Sequence, residues 1–220
     1  MKNKILLLGA TAMLALTLSL PAQATDGWYI SATGGVSQVD DFDFVGTLNP
    51  DTGPNAALGG TYSVDPGWVV IASTGYGMGS WRVEVEGGFR HNNFDSTSDI
   101  EMDEWSAMMN VLYDIQLSRS FKLSFGAGAG GDFLHLKQND WGFDDDSWNF
   151  AYQGIAGLSV ALSKHLDLVI DYHYLRVAGP DLSSSVATPG LADISLDDIS
   201  KHALTAGIRY TFGAEPPPPP

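Results

Sequence analysis

Scattered histidines, grouped aspartates and one alternating run of charges are the side chains of this 220-residue sequence that have chemistry to offer. His91, His135, His165, His173 and His202 form no HExxH pair and no pair at ligand spacing. A hydrolytic histidine needs a serine or carboxylate beside it, and His91 with Asp95 or Ser96, together with His135, are the available seeds. The groups Asp40-Asp41-Asp43, Asp144-Asp145-Asp146 and Asp197-Asp198 could gather divalent cations. They lack EF-hand spacing, so solvated loops are expected, with no metal site, no cofactor and no catalytic residue. The glycines of GAGAGG at 126–131 precede no helix and so form no phosphate loop. They read as room for interior side chains or as a bend. In WRVEVEGGFR, Arg82, Glu84, Glu86 and Arg90 alternate with Val83, Val85 and Phe89. That spacing suits ion pairing on one face of a strand.

The elements that position these residues follow from the same period of two, which sends successive side chains to opposite faces. From Trp148 to Leu162 the even positions are apolar or glycine, whereas the odd ones include Asn149, Gln153, Gly157 and Ser159. The pattern predicts eight strands, near 27–37, 66–78, 80–92, 101–115, 121–136, 148–162, 166–176 and 198–212. Long connections, rich in Asp, Gly, Pro, Asn and Ser, cover 38–65, 93–100, 137–147 and 177–197. They alternate with tight turns near Gly79, at 116–120 and at 163–165. All long loops therefore fall at one end of an up-and-down meander. Strands of 11 or more residues suit a tilted bilayer crossing. Lipid tolerates no open sheet edge, so the sheet must close. The fold class expected is all-β, an eight-stranded antiparallel up-and-down transmembrane β-barrel.

Composition agrees with this and narrows the partners. Lysine and arginine number 11 against 26 acidic residues, a net charge of −15. Such a chain repels nucleic acid. Cysteine is absent, which excludes thiolate sites and disulfides. Residues 1–24 read as a secretory signal, with Lys2 and Lys4, an apolar stretch from Ile5 to Leu20, and a cleavage site at Ala22-Gln23-Ala24. Residues 25–213 would be the barrel, and 214–220 a stiff proline-rich tail or linker.

A soluble barrel would turn its apolar face inward, so orientation must come from other residues. Trp28, Tyr76, Tyr113, Phe125, Tyr172, Tyr174, Tyr210 and Phe212 lie toward the turn end or mid-strand. Trp68, Phe89, Trp105, Phe133 and Trp148 lie toward the loop end. Two such girdles suit two lipid–water interfaces. The ionic face then lines the lumen, with Arg82, Glu84, Glu86, Arg90, Asn110, Asp114, Lys122, Asp132, Asn149, Gln153, Asp167, Asp171, His173, Lys201 and Arg209. Buried charges need partners, and eight strands enclose only enough space for side chains. A packed polar plug is expected. In the second strand Val69 and Ile71 also point inward, which requires either a register shift or a partly apolar lumen.

The last strand, Thr205-Ala206-Gly207-Ile208-Arg209-Tyr210-Thr211-Phe212, resembles the terminal signal by which the bacterial assembly machinery recognises outer-membrane barrels. Thr205, Gly207, Tyr210 and Phe212 carry that resemblance. With GWYISATGG at 27–35, MMNVLYD at 108–114 and FAYQGIAGLSV at 150–160, the mature chain is similar to OmpA-like and related alphaproteobacterial outer-membrane proteins. The resemblance implies an outer-membrane location, contact with lipids and lipopolysaccharide, and a non-enzymatic role in envelope integrity and surface contacts, including a surface ligand or host receptor. The tail 215–220 resembles the linker by which many OmpA-like chains reach a peptidoglycan-binding domain, and the resemblance alone does not carry a peptidoglycan tether over to this chain. The alternatives are a narrow porin, a loop-based adhesin and a lipid A-modifying enzyme, although the His-x-Ser-Asn motif of lipid A deacylases is absent.

Overall fold

The computed structural model describes residues 27–40, 42–48, 56–62, 65–93, 100–138, 143–178, 181–182, 191–196 and 198–212, with side chains over 27–40, 65–92, 103–134, 148–178 and 198–212. Twelve strands run in chain order: β1 (Gly27–Val39), β2 (Phe42–Leu48), β3 (Ala56–Tyr62), β4 (Gly67–Met78), β5 (Trp81–Asn93), β6 (Ile100–Gln116), β7 (Phe121–Gln138), β8 (Phe143–Ala161), β9 (Leu166–Val177), β10 (Asp181–Leu182), β11 (Leu191–Leu196) and β12 (Ile199–Thr211). Eight of them close into a barrel in the order β1-β12-β9-β8-β7-β6-β5-β4. The seam pairs β1 with β12 antiparallel, from Tyr29 opposite Thr211 to Val39 opposite Lys201. Closure leaves the barrel no edge, which lets a sheet sit in hydrocarbon.

Tight turns set the register at one end. Between β4 and β5 the chain reverses over two residues, and Gly79 takes the φ of +66° that a side chain resists. The other two turns share a device. The Ser118 hydroxyl accepts from the amides of Ser120 and Phe121, and the Ser163 hydroxyl accepts from those of His165 and Leu166. Such a side-chain acceptor fixes a short loop in place.

At the opposite end the structure departs from expectation. The segments 38–65 and 177–197, read as plain loops, contain β2, β3, β10 and β11, which form a separate sheet in the order β10-β11-β2-β3. β2 and β3 pair along all seven positions, from Phe42 opposite Tyr62 to Leu48 opposite Ala56. The third long loop is also shorter than expected. β7 and β8 continue as a hairpin to Gln138 and Phe143, so Asp144, Asp145 and Asp146 are strand residues opposite Lys137, Leu136 and His135. Residues 1–24, Asp95, Ser96 and the tail 214–220 lie outside the described residues.

Alternation is kept around the barrel. The burial pattern of β1 changes at every residue, with Tyr29, Thr33, Ser37 and Val39 buried and Trp28, Ile30 and Val36 exposed. In β8, Trp148 and Phe150 are exposed whereas Asn149, Ala151 and Gln153 are buried. Met109 is 72% exposed beside Met108 at 1%. Apolar side chains therefore dominate the outer wall, and polar side chains line much of the interior. β4 keeps its register with Val69 and Ile71 inside, packed with Ala203, so the lumen is partly apolar.

Candidate functional site

Strand parity delivers polar side chains from all eight barrel strands into one narrow volume. Nearest the tight turns, Arg82 of β5 donates through Nε to Asp114 Oδ2 at 2.9 Å and through Nη2 to the Ser124 hydroxyl at 3.2 Å. Ser124 in turn donates to Asp114 Oδ1 at 2.8 Å. Nη1 of Arg82 reaches the Tyr29 hydroxyl at 3.1 Å, and Tyr29 donates to Glu84 Oε2 at 2.6 Å. The guanidinium groups of Arg82 and Arg209 both lie over the Tyr29 ring, 5.3 and 5.5 Å from its centre, where its π face attracts cations.

The middle of the lumen is held by amides between carboxylates. Asn110 Nδ2 donates to Glu84 Oε1 at 3.1 Å and to Glu86 Oε2 at 2.9 Å. Gln153 Nε2 bonds both Glu86 oxygens at 3.2 Å and Asn110 Oδ1 at 2.8 Å. His173 Nδ1 stands 4.0 Å from Glu86. Gly126 and Gly128 make the space, since a Cβ on either would run into the side chains of Leu112 and Asn110. Toward the loops, Lys201 donates to Glu104 and, at 2.8 Å, to Asp132, and Arg90 donates to the Ser106 hydroxyl at 2.9 Å. An apolar cluster of Val39, Met108, Ala151, Leu175, Val177 and Ile199 gathers around the loop ends of β1, β9 and β12.

The structure thus places Arg82, Glu84, Glu86, Arg90, Asn110, Lys122, Asp132, Gln153, Asp171, His173, Lys201 and Arg209 on the inner face. It joins most of them in groups, one around Arg82 and Glu84, one around Glu86 and one around Lys201. Asn110 links the first two. Lys122, Asp167 and Asp171 are half-buried. Sequence reasoning missed Glu104, the fully buried partner of Lys201, and the hydroxyls of Tyr29 and Ser124. Counting back by twos from Asn110 through Met108 and Ser106 would have found Glu104.

Between these groups lies a cavity of about 20 Å³, lined in part by Thr33, Arg82, Glu84, Asp171, His173 and Arg209. That is room for about one water molecule. Thr33 Oγ1, His173 Nδ1 and the Nε and Nη1 of Arg209 lack a protein partner, and all three residues border this space. Buried polar atoms left by the protein in this way take up internal water.

On the outer wall, Trp28 and Tyr76 meet edge to face at 5.4 Å, as do Trp81 and Tyr113 at 4.9 Å, near the turn end. Near the loop end, Trp68, Phe89 and Trp105 contact one another in sequence, at 5.3 and 4.6 Å, and the Trp148 ring covers Gly131. His91 and Asp103 are register partners bonded at 2.6 Å, whereas Asp95 and Ser96 lie outside the described residues. His202 links the Tyr172 hydroxyl at 2.6 Å to Asp40 at 3.3 Å. His165 stacks on Tyr210 at a turn. Among the described residues no group of three or more potential ligands could hold a metal ion. In the terminal strand Tyr210 and Phe212 are exposed and packed edge to face at 5.1 Å, whereas Thr205 is buried and Gly207 abuts the β1 backbone at Ala32.

A closed barrel, apolar outside and ionic inside, with aromatic rings at both rims, has its exterior in hydrocarbon. Residues 8–212 match the outer membrane protein beta-barrel domain. The chain belongs to that family. Among solved structures it is similar to Neisserial surface protein A, with a TM-score of 0.57 and 18% identity over 84% of this chain and 97% of that one. It is also similar to the outer membrane protein AlkL, with a TM-score of 0.54 and 19% identity over 93% of this chain and 100% of that one. For OprG of Pseudomonas aeruginosa the TM-score is 0.50, with 16% identity over 84% and 97%. These likenesses concern the fold. Among curated sequences, an uncharacterized protein of Brucella abortus is 26% identical over 138 residues, 49% of this chain and 47% of that protein. The chain thus spans about half the length of the curated relatives it matches. As a member of the outer membrane barrel family it is a protein of the bacterial outer membrane.

Proposed function

We propose that the protein is a structural and surface-contact barrel whose lumen is plugged by side chains, with no reaction chemistry of its own. The observation that carries this reading is the bonding across the bore. Arg82, Glu84, Glu86, Asn110 and Gln153 bond one another there, and the cavity beside Arg82, Glu84 and Glu86 holds about 20 Å³. A hydrated solute needs a continuous path, and Arg82, Glu86 and Lys201, buried in its way, are each held by partners whose loss is costly. The outer wall contacts lipid and, at the loop end, lipopolysaccharide. The loops meet a surface ligand or host receptor. Residues 1–24 direct export and are removed after Ala24. Thr205, Gly207, Tyr210 and Phe212 present the terminal strand to the assembly machinery, with the two aromatic rings exposed on the outside for recognition.

Single-channel recording in a planar bilayer tests the plug. Purified protein is expected to give no discrete openings. Regular openings that disappear on Glu84→Gln or Arg82→Ala would establish the narrow pore instead. The other two alternatives have their own readouts. A changed lipid mass after incubation with lipopolysaccharide would mark an enzyme, and loss of host-cell binding on deletion of residues 38–65 would mark an adhesin.

A further inference from the structure

The small sheet at the loop end has two unequal borders. One is β10, only Asp181–Leu182. The other is β3, Ala56–Tyr62, which pairs with β2 on one side and, among the described residues, with no strand on the other. The seven extended residues span about 23 Å, and among the described residues no strand takes up the backbone donors and acceptors on that side. Natural proteins guard such borders with charges, prolines or bulges. β3 reads AALGGTY and contains none of the first two, and its pairing with β2 runs in register without a bulge. The bulge in this sheet lies instead in β11, between Ala192 and Ile194.

Charge identifies the occupant. Residues 38–66 and 177–198 supply all four strands of the sheet, and they contain no lysine or arginine. Aspartates stand in three of those strands, at Asp43, Asp181 and Asp193. A second copy would bring the same negative charge to the border and be repelled. A cationic segment would be attracted, and its main chain would complete the ladder. We propose that the free border of β3 takes up an extended, lysine- or arginine-rich polypeptide segment as a fifth strand. Backbone hydrogen bonds would provide the affinity, as in other cases of strand addition, and the surrounding aspartates would select cationic partners. The inference rests on the surface-contact reading, and gives that contact a mode and a partner chemistry.

The test uses the full-length protein refolded in detergent micelles and a fluorescent peptide alternating lysine with valine, followed by anisotropy. Binding is expected, weakening as salt rises. The same peptide N-methylated at alternate residues keeps its charge but cannot extend a ladder, and is expected to bind at least about tenfold more weakly. Hydrogen exchange should slow over residues 56–62 when the unmethylated peptide is added. Equal binding of both peptides, protection confined to other segments, equal binding of a glutamate–valine peptide, or concentration-dependent dimers that exclude the peptide would each overturn the proposal. None of these results bears on conductance, so the plugged-barrel reading stands or falls separately.

Discussion

Lys201 shows how single residues hold this barrel. Its ammonium is 2% exposed and lies between Glu104 and Asp132, themselves 0% and 1% exposed. Removing one partner from such a group leaves charge buried and unpaired, at about 3–5 kcal/mol. Lys201→Met is therefore expected to lower the midpoint of guanidinium unfolding in micelles strongly. Adding Glu104→Gln and Asp132→Asn to that variant should restore much of the loss, because the uncompensated carboxylates go with them. If the single variant unfolds like the wild type, the pairing contributes little. Lys201 and Asp132 were legible as inward residues from parity alone. Their meeting with Glu104 was not, because the lysine and the glutamate are 97 positions apart and nothing local couples them.

At the scale of the strand, neighbouring residues on opposite faces should respond in opposite ways. Met108 is packed in the loop-end apolar cluster, so Met108→Ala leaves a cavity and is expected to cost about 2–5 kcal/mol. Met109 faces outward, and Met109→Ala should change unfolding little. Met109→Arg, by contrast, is expected to cost about 2–4 kcal/mol in a bilayer if it sits near the midplane. Folding titrations in lipid vesicles compare all three, and equal effects of the two alanine variants would contradict the assigned faces. The strands were legible because the period of two runs through most of each one. The first and fourth loops were misread for a physical reason. β2 and β11 are short, interrupted by glycine or a bulge, and pair across more than 140 positions. Their order comes from a partner strand, not from their own pattern. The hairpin of β7 and β8 outran its expected end for a related reason, since Asp144 to Asp146 read as loop residues until Lys137 and His135 stand opposite them.

At the scale of the molecule, closure is cooperative, since opening any seam exposes two strands' worth of unpaired backbone to lipid. The folded protein is therefore expected to resist detergent and to migrate differently on a gel before and after boiling. Equal mobility would count against a closed barrel. Mass analysis of the exported chain should find an N-terminus at Thr25, and retention of Met1 would sink the export reading. By itself the sequence determined the number of membrane strands, which residues face each way and which end holds the long loops, because alternation is a local property of extended backbone. Only the tertiary structure decided which charges meet across the bore and that two distant loops fold together into a sheet. Those outcomes depend on strand stagger and closure, which bring together residues that no local pattern connects.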